Sequence, residues 1–172
     1  VQYLVIEDNY TNGRPPLDLG GALYTTRETV DKVETMKVTT CLNPLHTAMA
    51  IYGCMLGYTL ISAEMADEDI RSFIQKMGYM EAMPVVTDPG ILNPYEFIGA
   101  VIKRRLPNPF MPDAPQRIAC DTSQKIPIRF GETIKKYIAR GLDKDNLVLI
   151  PLALAGWARY LKNRRSEERR VG

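Results

Sequence analysis

The stretch Val38-Thr39-Thr40-Cys41-Leu42-Asn43-Pro44-Leu45-His46-Thr47-Ala48-Met49-Ala50-Ile51, continuing to Ala63, contains no Asp, Glu, Lys or Arg. His46 is its only ionisable side chain apart from Cys and Tyr. A run this long without charge must be considered as a membrane span. Thr39, Thr40, Asn43, His46 and Thr47 crowd its first half, however, and such groups are costly in lipid. The remainder, from Ala48 to Ala63, is too short to cross. The stretch is therefore a central helix buried on all sides by other helices.

Reading outward toward the start, Val30, Val33 and Met36 recur at helical spacing, and Thr25-x-x-Glu28 has the spacing of a capping box. Before it, Thr11–Gly21 (TNGRPPLDLGG) is turn chemistry and Val1–Ile6 reads as a strand. Toward the end, Ile70, Phe73, Ile74 and Met77 mark a further helix. Asn93-Pro94-Tyr95-Glu96 combines an N-cap, an N1 proline and an acidic third residue, opening a helix to about Leu106. After the loop LPNPFMPDAP, the Asp113-x-x-Gln116 pattern predicts a cap for a segment carrying Arg117. Gly131–Arg140 is helical with Gly141 as its stop, and Leu147–Leu161 forms a last helix with Pro151 in its first turns. The fold class is mainly α, with a short strand or hairpin at the start. Residues 1–24 form a strand and turn-rich lead-in and residues 25–164 a helical domain. Residues 165–172 (RSEERRVG) read as a translated sequencing-adapter scar and are set aside. The chain is expected to be cut at both ends.

Hydrophobic residues make up 45% and charged residues 24%, which excludes disordered and fibrous classes. Twenty-two Lys+Arg against 20 Asp+Glu leave +2, too small to argue for nucleic acid or an anionic membrane surface. Cys41, Cys54 and Cys120 lack a Cys-x-x-Cys spacing and read as reduced thiols of a cytoplasmic protein. One His without clustered Cys, Asp or Glu argues against a metal site. No G-x-G-x-x-G or P-loop occurs, so no cofactor-binding residue is expected in this chain.

The strongest constellation is Lys37, Asn43 and His46. A lysine entering an apolar core would have its pKa lowered by desolvation and serve as a base near neutrality. Asn and His can donate hydrogen bonds to an oxygen gaining negative charge. On a straight helix Lys37 would lie roughly 120° from Asn43 and 180° from His46. Pro44 has no amide donor and its ring clashes with the Thr40 carbonyl, so a bulge or break is predicted between Val38 and Pro44. One residue absorbed in a π-bulge would bring Lys37 to about 80° from His46. Arg117 and Lys125, set among small and polar residues, form a second cluster able to receive hydroxyls or a carboxylate.

The blocks VIEDNYTNGRPPL, Lys37…Asn43-x-x-His46 and PDAPQRIACDTSQKIP resemble the C-terminal substrate domain of the mannitol dehydrogenase family of polyol dehydrogenases and uronate reductases. NPLHTAMA and VVTDPGIL are closer to its fructuronate (mannonate) reductase-like members. The resemblance implies a multi-helix domain of the 6-phosphogluconate-dehydrogenase C-terminal type and a missing Rossmann domain upstream that binds NAD or NADP. It implies an oxidoreductase of carbohydrate metabolism acting on a sugar acid or polyol, and a polypeptide inactive by itself. Lys37 would be the general acid/base, Asn43 the stabiliser of the alkoxide and His46 the group positioning the substrate. Arg117 and Lys125 would contact the substrate. The chain departs from the family in one place: the usual Lys-x4-Asn spacing is Lys-x5-Asn here. A mannitol-type dehydrogenase and a non-catalytic helical binding domain are the alternatives.

Overall fold

Parallel pairing begins the fold. The computed structural model describes residues 3–168, in which strands β1 (Val5–Glu7) and β2 (Leu23–Thr25) pair in the register Val5 to Leu23, Ile6 to Tyr24 and Glu7 to Thr25. Parallel strands require a crossover rather than a tight turn, so the lead-in is a strand pair and not a hairpin. The crossover carries the turn residues and is tacked down by Arg14, which pairs with Asp8 and Asp18 and lies 4.5 Å from the Tyr24 ring centre.

Helix α1 (Arg27–Met36) is capped by Thr26, whose hydroxyl accepts from the Thr29 amide. The expected cap at Thr25 is thus displaced by one residue. Thr25 is the last residue of β2, and its carbonyl accepts from the Asp8 amide.

The uncharged stretch is a buried helix with two interruptions rather than one rod. A π-turn covers Lys37–Cys41, α2 spans Asn43–Leu56, and a short α3 follows at Ile61–Glu64. Leu45, Ala48, Met49 and Ile51 of α2 have no exposed surface. Neighbouring helices and turns cover α2, which therefore needs no polar face. Among the described residues no helix is long and apolar enough to cross a membrane.

Helix α4 (Glu68–Lys76), capped by Asp67, buries Ile70 and Ile74 and runs into a π-turn at Met77–Ala82. Helix α5 (Pro94–Ala100) starts as the sequence predicts, with Asn93 accepting from the Tyr95 and Glu96 amides. A π-turn at Val101–Arg105 extends it nearly to Leu106. Helix α6 (Pro115–Ile118) corrects another expectation: its N-cap is Ala114, with no side-chain cap, because the Asp113 carboxylate is engaged by cations instead. Helix α7 (Thr122–Ile126), a π-turn at Pro127–Gly131 and α8 (Glu132–Ala139) follow, and the chain leaves α8 through a left-handed Gly141.

The last helix, α9 (Leu149–Glu168), begins where the Glu81 carboxylate accepts the amides of Val148, Leu149 and Ile150, each at 2.7 Å. A carboxylate from another element thus satisfies amides that a helix start leaves unpaired. Pro151 stands in the first turn, where its missing N–H removes no helical bond. The helix runs through Arg165 to Glu168; residues 169–172 of the expected scar lie outside the described residues.

Candidate active site

The site is built around the π-turn that precedes α2. The Leu42 amide reaches back five residues to the Lys37 carbonyl at 3.2 Å, and Leu42 then leaves helical geometry at φ −131°, ψ −62°. This is the break predicted between Val38 and Pro44. Proline without an amide cannot extend the α ladder, so the chain widens one turn before it. The Thr133 hydroxyl donates to the Thr39 carbonyl at 3.2 Å, supplying one turn carbonyl with a partner from α8.

Beyond the break, Asn43 and His46 occupy the first turn of α2, three residues apart and on one face. The His46 ring is mostly buried, and its Nε2 lies 3.4 Å from Asp113 Oδ2. Burial pushes the imidazole down to about 4; Asp113 pulls against that, and the cations of Arg105, Arg129 and Arg117 push in the same direction as burial. His46 is therefore neutral at pH 7 and carries one N–H.

Asp113, itself 6% exposed, gathers the cations. Arg105 Nη2 stands 2.7 Å from Oδ2, and Arg117 Nη2 donates to Oδ1 at 2.8 Å. Arg117, singled out in the sequence, is thus tied at the lip of the site. Lys125 Nζ donates to the carbonyls of Ile118, at 3.0 Å, and Cys120. Arg129 Nη1 donates to the Thr47 hydroxyl, which donates in turn to the Asn43 carbonyl at 2.8 Å. An open cleft of about 310 Å³ is lined by Val38, Asp121, Gln124, Lys125, Ile128 and Arg129.

Lys37 differs from expectation. Its ammonium lies 2.6 Å from Glu34, one turn earlier on the same helix. Burial pushes its pKa down, but the Glu34 carboxylate and Tyr3 outweigh that, and the net shift is upward. The expected lowering by desolvation is therefore corrected: the amine is half-buried but paired. Among the described residues, the Lys37 ammonium meets Glu34 and Tyr3.

Three site residues were not foreseen. Arg129 stands four residues after Lys125, a spacing that could have marked it. Asp113 stands four before Arg117, a relation hidden by its likeness to a cap. Arg105 closes the basic run Lys103-Arg104-Arg105 and gave no local sign of facing inward. Strand β2 passes into α1 through Thr26, without the glycines that let a backbone approach a pyrophosphate.

The mannitol dehydrogenase C-terminal domain family matches residues 29–171. A D-mannonate oxidoreductase of Thermotoga maritima is 60% identical over 163 residues, which are 93% of this chain and 30% of that protein. The structure is similar to that of a substrate-free D-sorbitol dehydrogenase, with a TM-score of 0.81 at 25% identity, covering 91% of this chain and 31% of the other. It is also similar to the Pseudomonas fluorescens mannitol 2-dehydrogenase ternary complex with NAD and D-mannitol. There the TM-score is 0.76 at 27% identity, and coverage is 92% and 31%. The chain thus spans about 30% of the length of these relatives. With its wide turn set inside the Lys37…Asn43-x-x-His46 run, the chain belongs to the mannitol dehydrogenase C-terminal domain family.

Proposed function

We propose that this chain is the substrate-closing, proton-handling domain of an NAD(P)-dependent oxidoreductase that interconverts a sugar acid and its keto form, of the mannonate/fructuronate type. The observation that carries the reading is the π-turn between Lys37 and Asn43. It absorbs the residue by which this chain exceeds its family's spacing, and a residue so absorbed rotates Lys37 by about 100° toward the face of His46. The 60% identity to a D-mannonate oxidoreductase supports the substrate class.

In this reading NAD(P) is held by the part of the protein outside the chain and supplies hydride chemistry. The residues here manage the oxygen and the proton. During reduction the substrate oxygen gains negative charge, the Asn43 amide and the neutral His46 N–H donate to it, and the Lys37 ammonium delivers the proton. During oxidation the free amine is needed. Because the Lys37 pKa is raised, oxidation should speed up as pH climbs toward the lysine range, whereas reduction finds its proton donor ready at neutrality. Arg117 and Lys125 contact the substrate.

The test is Lys37→Met in a protein of the relatives' length. A drop in kcat of about 10²- to 10⁴-fold with loss of the alkaline rise in oxidation is expected. Unchanged turnover and pH profile would leave only a helical binding domain. Comparable turnover of fructose and fructuronate by the wild type would favour a mannitol-type enzyme, the reading that the likeness to mannitol 2-dehydrogenase supports.

A further inference from the structure

Besides Lys37, four cations among the described residues belong to this site, and they are not equally occupied. Arg105 and Arg117 share the buried Asp113 carboxylate. Lys125 and Arg129 have only neutral acceptors among the described residues: two backbone carbonyls for the first and the Thr47 hydroxyl for the second. Both are half-buried and both line the cleft of about 310 Å³. Asp121, the acid on the same wall, is exposed and makes no ion pair with either. Val38, the residue after Lys37, also lines this cleft.

A partly desolvated guanidinium and an ammonium without a carboxylate are incomplete in energetic terms, because buried charge is costly until it is paired. An arriving carboxylate supplies what is missing, and the planar guanidinium suits it bidentately. A neutral hydroxyl does not compensate the charge. We propose that Arg129, together with Lys125, receives the carboxylate of the substrate and thereby sets a preference for sugar acids over neutral polyols. This deepens the oxidoreductase reading above and rests on it. Arg129 is a specificity-determining residue, distinct from the proton-handling group.

Arg129 also clamps α2, since Thr47 passes its hydrogen bond on to the Asn43 carbonyl. The experiment therefore separates charge recognition from that clamp. In the full-length protein, Arg129→Gln is compared with Arg129→Lys and with Thr47→Val, which removes the hydroxyl and keeps the guanidinium. KM is measured for D-mannonate and D-mannitol, and binding of each is read independently by ligand-induced shift of the melting temperature. Arg129→Gln is expected to weaken D-mannonate by roughly 10- to 100-fold and D-mannitol by less than about twofold. Arg129→Lys should recover part of the loss, and Thr47→Val should retain the wild-type preference. An equal loss for both ligands, no loss for either, or loss of the preference in Thr47→Val would overturn the assignment. The binding readout keeps the two readings apart: selective D-mannonate binding without turnover would refute the oxidoreductase alone. If Arg129→Gln does not fold, Arg129→Lys carries the same comparison.

Discussion

Helix α2 has a buried carboxyl near each end, and the two are treated in opposite ways. Near its first turn, Asp113 is compensated by Arg105 and Arg117, with His46 beside it. Near its last turn, Glu64 has no exposed surface, and among the described residues neither of its oxygens has a hydrogen-bond partner. Glu64 lies against Gly53, where an added Cβ would collide with the carboxyl group. Burial pushes its pKa up to about 8, and among the described residues no cation opposes the shift. A carboxyl can be kept in an interior either by bringing charge to it or by letting it hold its proton. The first solution fixes two cations beside His46. The second needs no partner and leaves its end of the helix almost apolar at mild acidity.

The contrast breaks most sharply at Asp113. Asp113→Ala leaves Arg105 beside His46 with no counter-charge, whereas the exposed Arg117 can turn to water. A loss of about 3–5 kcal/mol in urea unfolding is expected. A loss below about 1 kcal/mol would mean that solvent already compensates these cations.

At the other end, Glu64→Gln should stabilise. The folded pKa of Glu64 lies above its ordinary value, so the folded state binds the proton more tightly. Its stabilising contribution is complete below the unfolded pKa of 4.5 and disappears as pH rises through about 8. Glutamine removes that dependence. The expected gain is about 3 kcal/mol near pH 7 and close to nothing near pH 4. A gain independent of pH would show that packing, not the proton, distinguishes the two ends.

The smallest effect sharpens the same point. Gly53→Ala forces a methyl group against the Glu64 carboxyl and should cost about 1–3 kcal/mol. Glu64→Ala opens that space, so the double variant should lose less than the sum of the single ones. Strict additivity would show that the close approach is relieved elsewhere.

Several of these features were legible in the amino-acid order. Pro44 announces the break, because its missing amide is a local fact about the hydrogen-bond ladder. Asn93-Pro94 announces the start of α5 for the same reason. The cap at Thr26 was missed by one position because either of two adjacent threonines can serve, and only pairing with β1 commits Thr25 to the ladder. Asp113 was misread because its likeness to a cap hid two nearby cations, Arg105 eight residues before it and Arg117 four after it; only His46 lies far away in the chain. The raised pKa of Lys37 could have been foreseen from Glu34, which shares its helix face. Arg129 stands four residues after Lys125, a spacing that gains its meaning only once the cleft brings the two cations to one wall.

The π-turns carry a consequence for how such a chain can change. Besides Lys37–Cys41, wide turns occur at Met77–Ala82, Val101–Arg105 and Pro127–Gly131. Each acts as a slip joint, resetting the angular phase of the helix that follows. A single inserted or deleted codon at such a joint can be absorbed locally while side chains on either side keep their neighbours. Length variation within this family would then concentrate at the joints, and aligning two members by forcing gaps into loops alone would set homologous side chains out of step.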